Sequence, residues 1–393
     1  MGKRTKGIFL IVVGGTGVLA VPAFLLLLAI AAYIPSGQNA PPDQAPQAQN
    51  AAPAPPATAR SDKYGTIEIG SSGIKGIVWE ITPDKAKELF QVRPDVQTAR
   101  YAVFKHAMIK HYKDFNTKLQ DERNVDAAVR AVAGLLHDMR EKEHVPDEQI
   151  YVVASSGVAN LPDIEIIKTK VGERTGKTPD VITAALECQY TFDWVVPPSE
   201  RYDVAVVDVG SGNTKACYME ESDDFGGRSR GGELLRYGAK SFETKVNSTK
   251  APGEEFAATS RRIAHSTIDG AVAEFVQGDP GLATRHKVYV SGGGAWVTAS
   301  LLHARHKKDD LIKLSAPADF LEARQLATSG QADLRSLGDP FTDDQYIAVL
   351  DVLITLSQDL KLDKRSIVFP SAARDAWMSN YLMIKLSELP KPS

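Results

Sequence analysis

The hydrophobic pattern divides the chain into three parts. An uncharged, largely apolar run extends from residue 7 to residue 34. Residues 35–60 are mainly Pro, Ala, Gln and Asn, with almost no large apolar side chains. From residue 61 onward, short apolar runs bounded by glycine turns alternate with longer stretches in which apolar residues recur at helical spacing. This alternation predicts an α/β chain of two domains, which we place at residues 61–195 and 196–393.

The period of each stretch predicts the individual elements. Short apolar or alternating runs predict strands at residues 66–70, 74–79, 150–154, 181–182, 202–209, 214–219 and 287–290. Helical spacing predicts helices at residues 99–118, 125–142, 162–175, 184–195 and 242–275, and another from residue 295. Gly176 is expected to cap the helix at residues 162–175.

The N-terminal run is long enough to span a membrane. A helix over residues 7–34 would be roughly 42 Å long, against ~30 Å for the hydrocarbon core. Lys3, Arg4 and Lys6 precede the run, and the next positive charge is Arg60. The positive-inside rule therefore predicts a single-pass membrane protein with residues 1–6 cytoplasmic and the folded part extracytoplasmic, in the periplasm if the source is bacterial. A cleaved secretory signal is the alternative, because small residues lie near the end of the run.

The segment at residues 35–60 is predicted to be a linker. Its composition cannot bury a hydrophobic core, and its prolines favour extended backbone. We therefore expect a stiff tether that holds the folded part away from the membrane surface, without docking tightly against it.

Composition excludes several classes of protein. The net charge of -3 gives no reason to expect a nucleic acid as partner. Two cysteines, Cys188 and Cys217, are too few for a disulfide-rich scaffold or a four-cysteine zinc site. They predict either two buried thiols or one disulfide in an oxidising compartment, and the sequence leaves both open.

Two glycine-serine turns share one local pattern. Each follows an apolar strand that carries one carboxylate, Glu68 in the first and Asp208 in the second, and each leads into a returning strand. Backbone N–H groups in such turns can surround an anion. A carboxylate cannot itself bind phosphate, so beside such a turn it is expected to hold Mg²⁺. The predicted phosphate-binding residues are Gly70, Ser71, Ser72, Gly73 and Lys75 in the first hairpin, and Gly210, Ser211, Gly212, Asn213 and Thr214 in the second.

A third glycine turn, formed by Gly292, Gly293 and Gly294, lies between a strand and a helix. The start of a helix offers free backbone N–H groups to a ligand, so these residues complete the predicted binding set. One such turn alone is typical of any hairpin or loop. The informative signal is the order of two carboxylate-bearing hairpins followed by a glycine turn.

This order resembles the superfamily of actin, sugar kinases and heat-shock chaperones. Within it, the chain is most similar to the exopolyphosphatase and guanosine pentaphosphate phosphatase family and to the ectonucleoside apyrases. Four further segments carry the likeness, at residues 152–158, 176–187, 235–241 and 367–377. The resemblance implies an actin-like, ribonuclease H-like duplicated fold with two lobes and a central cleft, here preceded by one transmembrane helix.

The resemblance also implies a chemistry. It suggests Glu187 as the residue that positions the attacking water, and Asp208 and Glu68 as catalytic residues that hold Mg²⁺ or another divalent cation. The implied protein is a membrane-anchored, Mg-dependent phosphoanhydride hydrolase. Its substrate would be a phosphate chain, either polyphosphate or a nucleoside di-, tri- or polyphosphate. The sequence leaves a homodimer open.

Several departures from the family pattern keep two alternatives open. Glu68 stands where the family usually has Asp, and Ala159 stands where it has a phosphate-binding Arg. An extra methylene moves a carboxylate by more than about 1 Å, which matters where positioning is the mechanism. These departures favour a catalytically degenerate sensor that binds a nucleotide or polyphosphate. Asn213 and Thr214 suit a third reading, an actin-like scaffold protein, slightly better.

Overall fold

The computed structural model describes residues 63–71, 73–81, 104–112, 122–161, 164–221, 227–306, 317–330, 341–370 and 376–388. The described residues all fall within one compact unit. The predicted transmembrane helix at residues 7–34, the predicted linker at residues 35–60 and Ser72 lie outside them. None of the helices in the described ranges is long and apolar enough to cross a membrane.

The first sheet has five strands. They are β1 (Lys63–Gly70), β2 (Gly73–Ile81), β3 (Phe104–Tyr112), β4 (Ile150–Ala154) and β5 (Asp180–Val181). Their order across the sheet is β3-β2-β1-β4-β5. The first three strands are antiparallel neighbours, whereas β4 runs parallel to β1 and β5 runs parallel to β4.

The second sheet repeats the first. Its strands are β6 (Val204–Val209), β7 (Thr214–Glu220), β8 (Arg228–Leu235), β9 (Lys287–Ser291) and β10 (Ser366–Val368). They lie in the order β8-β7-β6-β9-β10, again with an antiparallel meander and two parallel strands. The same order and directions in both sheets show that the fold is duplicated.

Helices cover the two sheets. They are α1 (Glu122–Glu141), α2 (Ser156–Ala159), α3 (Ile164–Thr175), α4 (Ala184–Val195), α5 (Ala239–Thr249), α6 (Phe256–Gly278), α7 (Gly281–Thr284), α8 (Gly292–His306), α9 (Ala318–Thr328), α10 (Asp343–Asp359) and α11 (Ala376–Ser387). Short 3₁₀ turns occur at Asp147–Gln149, Pro198–Glu200 and Leu362–Lys364.

The central strand of each sheet is buried on both faces. Every residue of β6 is buried, as expected for a strand with helices packed on both sides. In the first sheet, Ile67 and Ile69 of β1 pack against α1, which contributes Leu135 and Met139. Both central strands carry a carboxylate near their ends, and the surrounding apolar packing determines where those carboxylates lie.

Two helices connect the lobes built on the two sheets. Helix α4 leads from β5 to β6 and packs against the second sheet through Phe192 and Val195. Helix α11 follows the last strand of the second sheet but returns to the first, where Trp377 and Met378 pack near Trp79. The domain boundary placed after residue 195 stays a prediction.

A disulfide joins Cys188 of α4 to Cys217 of β7. Both cysteines are fully buried. The structure therefore favours one disulfide over two free thiols. The bond fixes the helix that connects the lobes to the second sheet.

The helix predicted at residues 99–118 is wrong, because the structure has strand β3 there. Lys110 pairs with Gly76 and Met108 pairs with Ile77, so Ile109 is the extra residue of a β-bulge. A bulge breaks the period of two and lets the apolar residues fall at helical spacing. The sequence interpretation also missed β8, which has an equivalent irregularity at Leu234.

The helix predicted at residues 242–275 is two helices. Helix α5 ends at Thr249 and α6 begins at Phe256. Between them lie Pro252 and Gly253, and Gly253 has φ +81°, a left-handed conformation that favours glycine. Proline and glycine together end one helical pattern before the next begins.

Candidate functional site

The first and second glycine-serine turns meet. The hydroxyl oxygens of Ser71 and Ser211 lie 2.5 Å apart. A methyl group on Gly212 would lie 2.6 Å from Ser71 Oγ and 3.0 Å from Cα of Gly157, which belongs to α2. Only a residue without a side chain allows this approach. The two hairpins therefore face each other across the boundary between the lobes.

A cavity of about 110 Å³ lies beside this contact. Most of the predicted site residues line it: Glu68, Gly70, Ser71, Gly73, Lys75, Glu187, Asp208, Gly210, Ser211, Gly212, Asn213, Gly292 and Gly293. Residues more than 200 positions apart in the chain thus share one cleft, which requires both lobes to be in place.

Two of the predicted residues pack into the protein interior and do not line the cavity. The Thr214 hydroxyl donates a hydrogen bond to the carbonyl oxygen of Tyr237 at 2.7 Å and is fully buried. A methyl group on Gly294 would lie 2.6 Å from Val349 and 3.1 Å from Val209, so this glycine serves close packing in the core. Neither residue lines the cavity, and their assignment to the binding set stays a prediction.

The second turn directs its carbonyl groups toward the start of α5. Carbonyl oxygens of Gly210, Ser211 and Gly212 accept hydrogen bonds from Ala239 N (3.1 Å), Lys240 N (2.8 Å) and Ser241 Oγ (2.7 Å) at the start of α5. In a planar trans peptide the N–H points opposite to the C=O. The N–H groups that follow these carbonyls therefore point away from α5, which is the arrangement an anion site requires.

A buried lysine lies between two carboxylates in this cleft. Lys215 Nζ is 2.7 Å from Glu187 Oε1 and 3.5 Å from Asp208 Oδ1. The three side chains are 3%, 4% and 5% exposed, respectively. The remaining oxygens also have partners. Ser156 N donates to Glu187 Oε2 at 2.7 Å, and the Thr191 hydroxyl, 3.1 Å from both Asp208 Oδ2 and the Glu187 carbonyl oxygen, shares its one hydrogen between them.

Local structure places these groups. Thr183 caps α4 by accepting a hydrogen bond from Leu186 N, which brings Glu187 into the first turn of that helix. Asp208 and Lys215 are directly opposite in the β6–β7 register, so their side chains share one face of the sheet. Gly292 has φ +86°, and a methyl group there would lie 2.4 Å from Asp208 Oδ1. The third turn thus packs against Asp208.

Burial and charge act in opposite directions on these groups. Burial alone would raise the pKa of Glu187, but the Lys215 ammonium and the hydrogen bonds from Lys215 and Ser156 outweigh it and lower that pKa. Burial raises the pKa of Asp208, and although Lys215 opposes this, the Glu187 charge adds to it. Burial would lower the pKa of Lys215, but the Asp208 and Glu187 carboxylates raise it. Glu187 and Lys215 are therefore both charged at neutral pH.

The first hairpin also contains a carboxylate that is paired with a lysine, but this pair is less deeply buried. Glu68 lies directly opposite Lys75 in the β1–β2 register, and the two charges are 2.8 Å apart. Both side chains are only partly buried. Each of the two hairpins thus carries a carboxylate that is paired with a lysine on the neighbouring strand.

The residues present do not fit a divalent cation as they are arranged. Asp208 and Glu187 share the Lys215 ammonium, and Glu68 is paired with Lys75. Within the described residues, no group of three or more His, Cys, Asp or Glu could hold a metal ion. The magnesium site predicted at Asp208 and Glu68 is therefore not apparent in the geometry.

Sequence reasoning missed part of the cleft. Trp296, Phe341 and Trp377 line the cavity, although tryptophans in such a chain are more often core residues. Trp296 follows the third turn in the chain, which is a usable signal. Phe341 and Trp377 reach the cleft only through tertiary packing, so no local pattern could have indicated them.

The duplicated sheets and the cleft between them define an actin-like fold. Solved structures with this fold include an exopolyphosphatase from Cytophaga hutchinsonii, which is 12% identical to this chain. The two structures superpose with a TM-score of 0.59, and the match covers 84% of this chain and 100% of the exopolyphosphatase. A Ppx/GppA phosphatase from Aquifex aeolicus is 13% identical with a TM-score of 0.50, covering 84% and 99%. An exopolyphosphatase-like protein is 15% identical with a TM-score of 0.53, covering 83% and 98%.

These structural neighbours are an exopolyphosphatase, a Ppx/GppA phosphatase and an exopolyphosphatase-like protein, in agreement with the family that the sequence motifs resemble. At these identities the likeness establishes the fold and not the activity. No protein-family model and no curated protein matches the sequence.

Substituting Glu187→Gln should destabilise the protein in a pH-dependent way. At neutral pH we expect a loss of about 3 kcal/mol in the free energy of unfolding, the low end for a broken buried pair because Asp208 still faces Lys215. The lowered pKa of Glu187 means that its stabilising charge is present above its ordinary value of 4.5 and is lost as the pH falls through the lowered value. The difference from the wild type should shrink only below pH 4.5, as measured by urea unfolding.

The matched control is Glu200→Gln. Glu200 also accepts from a lysine, Lys287, at 2.7 Å, but both side chains are about one-third exposed. That variant should lose about 1 kcal/mol or less. Equal losses in the two variants would contradict the assignment of a special energetic role to Glu187.

Proposed function

We propose that the cleft binds the phosphate chain of polyphosphate or of a nucleoside polyphosphate and hydrolyses a phosphoanhydride bond. One observation carries the proposal. Two hairpins with a similar sequence pattern, each with a serine and a strand-paired lysine, come together in a single cavity from opposite lobes. A chain of phosphates presents repeated anionic groups, and a duplicated anion site is suited to binding two of them.

Backbone N–H groups of the second turn would donate to phosphate oxygens. Whichever of the Ser71 and Ser211 hydroxyls accepts the hydrogen bond between them would add a further donor. Lys75 and Lys215 line the same cavity and supply positive charge. Lysine binds phosphate as a point charge, which would partly replace the arginine that is absent at Ala159.

Glu187 is the residue that we assign to the attacking water. Its lowered pKa keeps it ionised at neutral pH, so it can accept a hydrogen bond from water and orient it. The water oxygen would attack the terminal phosphorus, and the bond from that phosphorus to the bridging oxygen would break. Orthophosphate and a shortened chain leave, and the two protons of the water end on these products.

The residues do not fit a divalent cation as they stand, so the magnesium dependence implied by the sequence resemblance stays a prediction. A magnesium ion that accompanies the phosphate chain would enter as part of the substrate.

Hydrolysis is tested by incubating the purified full-length protein with polyphosphate, ATP or GTP and measuring orthophosphate release. We expect release by the wild type, and a loss of about 100-fold or more in Glu187→Gln because the water is no longer oriented. The Glu200→Gln variant should retain the wild-type rate. Release by Glu187→Gln at the wild-type rate would contradict the assignment.

A second candidate function is binding without hydrolysis. The observation that favours it is that both carboxylate oxygens of Glu187 already have protein partners, Lys215 and Ser156. A water would then have to share an oxygen with one of them. Such a protein would be stabilised by polyphosphate or a nucleotide without releasing phosphate.

Ligand binding is tested by thermal unfolding with and without tripolyphosphate. A bound ligand raises Tm, and Gly212→Ala should remove that rise because the added methyl group pushes Ser71 and Gly157 away. The matched control is Gly232→Ala, where nothing lies within 4 Å of the added methyl group. A rise in Tm that is equal in both variants would place the ligand outside this cleft.

We further propose that the folded part lies outside the cytoplasm, anchored by the helix predicted at residues 7–34. The disulfide between Cys188 and Cys217 supports this location, because such bonds persist in oxidising compartments. The positive charges at Lys3, Arg4 and Lys6 support the orientation. A homodimer also stays a prediction.

The location predicts the state of the thiols in cells. Maleimide-polyethylene glycol added during denaturing lysis should not shift the wild-type protein on a gel, whereas Cys217→Ala should shift once at Cys188. Prior reduction should give the wild type two additions. Two additions without reduction would contradict an oxidising compartment.

A further inference from the structure

We propose that the Lys215 ammonium is the resident cation of this site and excludes a divalent metal ion from the Asp208 and Glu187 carboxylates. The inference rests on the proposed function for the location of the phosphate site, but it does not require turnover.

The coordination of the two carboxylates supports this role. One carboxylate oxygen of Glu187 contacts Lys215 and the other accepts a hydrogen bond from Ser156 N. One oxygen of Asp208 contacts Lys215 and the other lies within hydrogen-bond distance of the Thr191 hydroxyl. All four oxygens therefore have a partner within the protein. A divalent cation would need deprotonated oxygens free to bind it, and each would have to leave an existing partner.

Strand pairing builds this cation into the fold. Lys215 lies opposite Asp208 in the β6–β7 register, so its side chain begins on the same face as the carboxylate. A methyl group on Gly210 would lie 3.2 Å from Lys215 Nζ, which places the ammonium against the second phosphate turn. The charge thus lies beside both the carboxylates and the second turn.

Electrostatics make the lysine and a metal ion alternatives. Two buried carboxylates that share a site cannot both remain ionised without a cation, because each raises the pKa of the other. Lys215 supplies that cation without leaving the protein. Its removal would leave the pair to take up either a proton or a metal ion, so the loss of Lys215 should create metal affinity.

The experiment measures Mn²⁺ binding to the full-length protein without phosphate, by the loss of the free Mn²⁺ signal in electron paramagnetic resonance. Lys215→Met should bind Mn²⁺ about 10–100-fold more tightly than the wild type. The added affinity should disappear in the double variant Lys215→Met/Asp208→Asn. Lys287→Met removes a lysine from an ion pair outside the cleft and should behave as the wild type.

Two results would overturn the proposal. One is equal Mn²⁺ affinity in the wild type and Lys215→Met, including no binding by either. The other is a gain that persists after Asp208→Asn. Circular dichroism checks that each variant is folded. If Lys215→Met fails to fold, Lys215→Gln replaces it, because glutamine keeps a hydrogen-bond donor toward Glu187. The same two results would then overturn the proposal. This experiment measures Mn²⁺ binding and not hydrolysis. Its outcome therefore does not depend on whether the protein hydrolyses a phosphoanhydride bond.

Discussion

The ion cluster of Lys215, Glu187 and Asp208 is the constraint on which the cleft depends. Charges this deeply buried are costly unless each has a partner, and loss of one partner leaves the others uncompensated. The cluster takes Lys215 and Asp208 from the second sheet and Glu187 from the helix that connects the lobes. The cluster can therefore form only when α4, β6 and β7 are correctly assembled.

Duplication explains why this arrangement appears twice with different burial. Each sheet begins with a hairpin whose acid and lysine pair across the strands, Glu68 with Lys75 and Asp208 with Lys215. In the first lobe the pair remains partly open to the cleft. In the second lobe α4 covers it and contributes a further carboxylate. One local motif thus yields a partly buried ion pair in one place and a fully buried cluster in the other.

The sequence predicts the hairpins well because their information is local. Asp208 and Lys215 are placed symmetrically about the second turn, and strand pairing brings such positions together. The pairing of Lys215 with Glu187 could not be predicted in this way, since it depends on how α4 lies against β7. The error at β3 has a different origin, a bulge at Ile109 that imitates helical spacing. Phe341 and Trp377 enter the cleft from distant segments and leave no local trace.

The disulfide between Cys188 and Cys217 has a mechanical consequence. Cys188 directly follows Glu187, and Cys217 lies two residues beyond Lys215 on the same strand. If the lobes hinge apart, the disulfide keeps α4 attached to β7 of the second sheet at Cys188. Glu187 would keep its lysine during such an excursion, whereas its bond from Ser156 and the contact between the two serines would part. The disulfide thus determines that Glu187 would stay with the second lobe.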